Sequence, residues 1–223
     1  MAMLDVVIES VHTVASEADL LEALGPVESH GRAIILIGGA DATEPARRDE
    51  LLGFLAVVAR HCERTVTAII DGGTDSGVMR LIGEARAALG GGGSGATFPL
   101  IGVVPAGVFE RPTKDGEEIR PAPHHSKILR VPGNWFGDET KWLFAAADHL
   151  GSGSASTIVV NGGALTLREA HERLEAGHQV IAVVGSGRAA DELAADAALR
   201  ASGRLRVMHL TIDDVALAEA LGR

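Results

Sequence analysis

"IIDGGTDSGVM" (residues 69–79) is the stretch on which the fold turns. An apolar, β-branched run ends at Asp71, and a turn of glycine, threonine, aspartate and serine follows. "SGVMRLIGEARAAL" (76–89) then spaces its apolar residues as a helix does. The same succession recurs outward along the chain. Strand-like runs stand at "AIILI" (33–37), "TVTAII" (65–70), "PLIGVV" (99–104), "KILRV" (127–131), "STIVV" (156–160), "QVIAVV" (179–184) and "RVMHLTI" (206–212). Helical patterns lie between most of them, at 44–61, 76–89, 138–150, 165–176 and 189–200. "VVIESV" (6–11) reads as a further strand and "SEADLLEAL" (16–24) as a short helix. Alternating strands and helices, with strands apolar nearly throughout, predict an α/β chain: a Rossmann-like three-layer sandwich with a mainly parallel sheet. No repeat or linker interrupts the pattern, so one domain over 1–223 is expected.

Composition narrows the partners. The chain has 223 residues, 46 % of them hydrophobic, which is enough for a full core. A formal net charge of −10 disfavours nucleic acid, whose phosphates are met with excess Lys and Arg. The single cysteine, Cys62, excludes an intrachain disulfide and fits a reducing, cytoplasmic setting. Neither Lys nor Arg precedes Arg32, so the start lacks the charged front of a secretion signal. Runs such as "AIILIGGA" (33–40) are too short to span a bilayer, so no membrane partner is expected. The sequence leaves open whether the chain acts alone or as a homo-oligomer.

The glycines form two groups. Gly25, Gly90–Gly95, Gly151–Gly153, Gly177 and Gly203 follow helices and read as helix ends and flexible returns; "GGGGSG" (90–95) is a linker on this reading. The others follow strands: Gly38 and Gly39; "DGGTDSG" (71–77); Pro105 in "PAG"; Asn161, Gly162 and Gly163; and Gly185, Ser186, Gly187 and Arg188. In a parallel sheet all five turns fall at the carboxyl edge, where α/β folds bind ligands. Gly72 and Gly73 let backbone approach a phosphate or ribose, Thr74 and Ser76 supply hydroxyls, and Gly77 closes the turn. Asp75 is placed to cap the next helix, and Asp71 to accept ribose hydroxyls.

"VVGSGRAADELA" (183–194) places Arg188 at a glycine turn opening a helix, where a guanidinium can grip phosphate through two N–H groups. Asp191 orients Arg188 or complements the helix N-terminus. The stretch also fits G-x-G-x-x-A, with Asp213 and Asp214 after the next strand, the pattern of a nicotinamide dehydrogenase. That fingerprint normally has several strands after it, and here one remains. Adjacent His124 and His125 lack a third ligand, so no metal site is expected and His125 reads as a hydrogen-bonding rim residue. The long charged stretch 106–126 reads as a binding loop, and Trp135 as a base platform or a packing residue.

Taken in order, "LIGGADA", "IDGGTDSGVMRLIGEA", "PLIGVVPAGVF", "PHHSKILRVPGNWFGDE", "VVNGGALTLREA" and "GSGRAAD" resemble the blocks of the prokaryotic LSDAT/SLOG family. SLOG domains also form the N-terminal region of melastatin-type TRP channels and include the LOG-type nucleotide phosphoribohydrolases. The match departs at His124, where the family has Asn, and at Lys127, where a second His is common. The resemblance implies a Rossmann-like fold that binds nucleotide derivatives such as ADP-ribose and its cyclic forms, with no resident cofactor. It also implies an alternative. LOG enzymes carry PGG-x-GT-x-x-E, and Gly162, Gly163, Thr166 and Glu169 keep that spacing while Asn161 and Leu165 break it. On that branch Glu169 is the acid that helps cleave a base from its ribose phosphate. Otherwise Glu169 is a surface residue paired with Arg173.

Overall fold

The structure is a computed structural model that describes residues 8–26, 31–39, 45–90, 96–109 and 118–222. Eight strands form one sheet in the order β1-β5-β4-β3-β2-β6-β7-β8, and all pairings between them are parallel. They are β1 (Ser10–Thr13), β2 (Ala33–Gly39), β3 (Ala68–Asp71), β4 (Leu100–Pro105), β5 (Lys127–Val131), β6 (Ser156–Asn161), β7 (Val180–Val184) and β8 (Leu205–His209). The helices are α1 (Glu17–Leu24), α2 (Pro45–Thr65), α3 (Gly77–Leu89), α4 (Thr140–Leu150), α5 (Ala164–Glu175), α6 (Arg188–Ala195), α7 (Ala197–Ala201) and α8 (Asp214–Ala220).

Successive strand residues face opposite sides of a sheet, so a strand buried on both faces is apolar throughout. In β2, Ile35 and Ile37 pack towards α4 and α5, while Ile34 and Leu36 pack towards α2 and α3. Two cores result, one on each side of the sheet, and the predicted three layers follow. No helix among the described residues is long and apolar enough to cross a membrane.

The chain winds from β2 through β3 and β4 to one side, then returns to pair β6 with the other side of β2. The strand order therefore reverses between β2 and β6, and a crevice opens at their carboxyl ends. The two backbones approach closely there: a Cβ on Gly38 would lie 2.0 Å from the Val160 carbonyl oxygen. Glycine is required at that position for the crevice to form as it does.

Three elements differ from expectation. The helix expected over 189–200 breaks at Asp196, whose extended backbone and carboxylate, accepting from the N–H groups of Ala198 and Leu199, start α7. The strand expected at 65–70 begins only at Ala68, because α2 runs through Thr65. Helix α8 follows Asp213, which caps it through the N–H groups of Val215 and Ala216. Residues 6–7 of the first expected strand, Ala40, Glu44, most of the 90–95 glycine run and 110–117 of the charged loop lie outside the described residues.

Candidate functional site

The turn after β3 is closed by a buried pair. His125 Nε2 lies 3.0 Å from both carboxylate oxygens of Asp71, and both side chains are fully buried. His125 Nδ1 lies 3.2 Å from the Pro123 carbonyl, so both ring nitrogens face a polar partner. Asp71 Oδ1 also accepts the Gly73 N–H at 2.8 Å. These contacts correct two expectations: Asp71 offers no free oxygen to a ribose, and His125 is a core residue, not a rim one. Gly73 is corrected too. It has φ +63°, and a Cβ there would meet Val104 at 2.6 Å and Gly102 at 2.9 Å, so this glycine serves packing of β3 on β4. Asp75 does not cap α3; its carboxylate accepts from Arg80 Nε at 2.7 Å. Ser76 is the N-cap residue, with no side-chain capping bond, and Gly77 is the first residue of α3.

Segment 118–126 is stitched along this turn. Thr74 pairs with Pro121 in an antiparallel bridge, Asp75 N–H donates to Arg120 O at 2.8 Å, and Ala122 N–H donates to Gly73 O at 2.8 Å. Arg86 of α3 donates to the carbonyl of His124 at 3.0 Å. Pro105 ends β4 in a buried position and leads into a short 3-10 turn, outside the cavity described next.

A cavity of about 320 Å³ lies at the carboxyl end of β2, between the turn after β3 and helices α4 and α5. Of the expected ligand residues, Gly38, Gly39, Gly72, Thr74, Ser76, Thr166 and Glu169 line it. The rest of its wall is Leu36, Ile37, Met79, Phe136, Glu139, Leu143 and Leu165. Glu169 is 5 % exposed and accepts from Thr140 Oγ1 at 2.6 Å. Burial pushes its carboxyl up to about 7, and the charge of nearby Glu139 adds to the rise. The surface pairing with Arg173 is absent. Arg173 instead makes a two-pronged contact with Asp148, at 2.9 and 3.0 Å, which leaves Glu169 to the cavity. Glu139, also 5 % exposed, accepts from the Gly137 N–H at 2.6 Å, and burial raises its carboxyl as well.

The turns after β6 and β7 meet beside this cavity. Asn161 N–H donates to Ser186 Oγ at 2.7 Å, and Ser186 Oγ donates to the Val183 carbonyl at 2.6 Å, so Ser186 fastens one turn to the other and is not presented outward. The Gly185 N–H donates to Asp191 Oδ1 at 2.6 Å, which fixes Asp191 as the holder of its own turn. Arg188 is exposed, with φ +48° and no ion pair or hydrogen bond among the described residues. Its Nη2 would lie 2.9 Å from a Cβ on Gly163. Buried Asn161 Oδ1 has no partner among the described residues, and Gly162 and Gly187 complete the facing turns. Helices α5 and α6 both start here without a side-chain cap, and at α6 the Ala189 N–H donates to the Gly162 carbonyl at 3.4 Å. The dehydrogenase pattern loses its acids: Asp213 caps α8, and Asp214 pairs with Arg64 at 2.7 Å.

Residues 32–220, from just before β2 to the end of α8, match the model of one family, described as SLOG in TRPM, prokaryote. The chain belongs to the prokaryotic LSDAT family. Among solved structures, this LSDAT chain is similar to the structural-genomics target TM1055, with 15 % identity, a TM-score of 0.57, and coverage of 86 % of this chain and 98 % of that one. It is also similar to the molybdenum cofactor binding protein from the phototrophic bacterium Rippkaea orientalis, with 13 % identity, a TM-score of 0.58, and coverage of 87 % and 98 %. At such identities both likenesses speak to the fold alone. No match to a curated protein was found.

Among the cavity residues of this LSDAT domain missed from sequence are Phe136 and Glu139. Neighbouring Trp135 drew the aromatic reading, yet it is 66 % exposed and Phe136 is the ring in the wall. Glu139 is the acid of the "GDE" that ends the family block at 123–139, so a signal for it existed. Only the fold, by setting the starts of α4 and α5 side by side, brings it to Glu169.

Proposed function

We propose that this protein binds a small nucleotide-derived ligand at the carboxyl edge of its sheet, with ADP-ribose or a close relative as the ligand class. One observation carries the reading. Among the described residues, a cavity with no Lys or Arg in its wall adjoins an Arg188 without a side-chain partner, flanked by two helix starts that lack a side-chain cap. Such an edge suits a molecule with an anionic part and an uncharged, hydroxyl-bearing part. Membership of the LSDAT family supports a nucleotide-related ligand, and the likeness to a molybdenum cofactor binding protein is in keeping with a ligand-binding edge. The test is a thermal-shift panel of nucleotides with calorimetry on each hit. A ligand at a hundred times its Kd should stabilise the fold by about 2.7 kcal/mol. ADP-ribose should shift the melting curve more than AMP or nicotinamide dinucleotides. If ADP-ribose, its cyclic forms and mononucleotides all leave the curve unmoved at millimolar concentration, the reading is wrong.

The raised carboxyl of Glu169, facing the cavity, favours a second reading: hydrolysis of the bond between base and ribose phosphate. A carboxyl near 7 can steady positive charge at the anomeric carbon when ionised, or protonate a leaving base when neutral. Chromatographic assay for free base from nucleoside monophosphates separates the readings. Binding alone gives no release above background, whereas hydrolysis gives release that Glu169→Gln abolishes.

A further inference from the structure

We infer that Glu139 is a specificity-determining residue of the cavity: with Glu169 it seats a cis-diol, the paired hydroxyls of a ribose, while the phosphates stay outside on the Arg188 side. The inference rests on the nucleotide-binding reading and adds which part of the ligand enters and what selects it.

Charge comes first. Glu139 and Glu169 are the only charged groups in the cavity wall among the described residues. A phosphate lodged there would face two buried acids, with Arg168 acting on them only from outside the wall, and repulsion is strong where water is excluded. The open cationic group and the uncapped helix starts lie at the β6 and β7 turns instead. A ligand with both kinds of group can satisfy the site in one orientation only.

Hydrogen bonding comes next. Glu169 receives one donor, Thr140 Oγ1, on Oε1; its second oxygen has no donor among the described residues. Glu139 is held by backbone N–H groups, from Gly137 and its own residue, and makes no salt bridge among the described residues; Arg168, itself paired with Glu172, acts on it only through its charge. Both side chains are more than nine-tenths buried and line the cavity. Both acids thus keep acceptor capacity facing the cavity, ready for donors from what fills it. The two acids stand on different elements, Glu139 at the start of α4 and Glu169 in α5. Two acceptors on two walls match two neighbouring hydroxyls better than one amine, whose hydrogens leave a single atom. Phe136, Leu165 and Met79 supply apolar surface for the faces of a sugar ring. At about 320 Å³ the cavity is at the small end of ligand sites, roughly 300–1,000 Å³, and takes a fragment of a dinucleotide-sized molecule. Burial raises both carboxyls, which eases the placing of two acids in one wall.

The experiment is calorimetry with ADP-ribose and two analogues, each lacking the 2′ and 3′ hydroxyls of one of its riboses. Wild type should bind one analogue, the one stripped of the seated diol, at least tenfold more weakly than ADP-ribose. Glu139→Gln and, independently, Glu169→Gln should weaken ADP-ribose by about tenfold but leave that analogue within about twofold of its wild-type affinity. Arg188→Ala should weaken all three ligands alike. If both Gln variants weaken all three equally, or neither changes any, the diol seat is overturned while the binding reading stands. If wild type binds none of them, the binding reading falls and the diol seat with it.

Discussion

The turn after β3 and the paired turns after β6 and β7 are made of the same residue types, glycine with hydroxyl, carboxylate and amide side chains. They differ in where the polar groups go. After β3, Asp71 turns inward to His125 and Gly73, and the outer side is stitched to segment 118–126. After β6 and β7, Ser186 and Asp191 settle the internal bonds, and Arg188, Asn161 Oδ1 and two helix starts are left over. A glycine turn therefore points to a ligand only once its polar atoms have been counted against partners within the protein.

Five substitutions can break that contrast. Asp71→Ala should have the largest effect, roughly 3–5 kcal/mol of stability by urea denaturation, because it leaves His125 buried without its partner. A loss below about 1 kcal/mol would mean that this turn is not held by the pair.

Glu169→Gln should come next, and its sign depends on pH. Burial pushes the folded carboxyl up to about 7, above its ordinary value of 4.5. The native state therefore keeps a proton that the unfolded chain gives up. Stability from this group is fully present below about 4.5 and is lost as pH rises through about 7. Full ionisation costs roughly 3 kcal/mol at most, taking 1.36 kcal/mol per pKa unit. Glu169→Gln should flatten the stability profile between pH 5 and 8 and raise the melting temperature at about pH 8. An unchanged profile would show that Glu169 is not the titrating group.

Gly73→Ala should cost roughly 1–3 kcal/mol, since both the backbone angle and contacts with Val104 and Gly102 oppose a methyl group. Gly185→Ala, with φ +83° but no atom nearer than Leu210 Cδ1 at 4.0 Å, should cost less. Equal losses would remove the packing difference between the turns. Arg188→Ala should be the mildest for stability, within about 0.5 kcal/mol, while lowering affinity for any phosphate-bearing ligand by roughly 1.5–3 kcal/mol. A large stability loss there would show that Arg188 has a structural partner.

The sheet was legible because a parallel strand buried on both faces writes itself as an unbroken β-branched run, as in Ile34–Ile37 or Ile158–Val160. The carboxyl edge followed from chain direction alone. What local pattern could not carry was pairing across distance. Asp71 looks like an available strand-end acid until His125, 54 residues later, is placed on it. Glu169 looks like a helix-surface acid with Arg173 one turn on, until Arg173 is seen to face Asp148. The break at Asp196 was missed for a local reason. Its neighbours are good helix formers, and only the capping of Ala198 and Leu199 shows that a new helix starts there.

Segment 118–126 has a kinetic consequence. It belongs to no strand or helix before β5, yet the amides of Asp75 and Ala122 are donated across it and His125 anchors its end in the core. If opening of this segment is coupled to release of His125 from Asp71, those two amides should exchange as slowly as amides of the central strands, which hydrogen exchange would show. An irregular stretch of chain would thus carry the protection normally confined to a sheet.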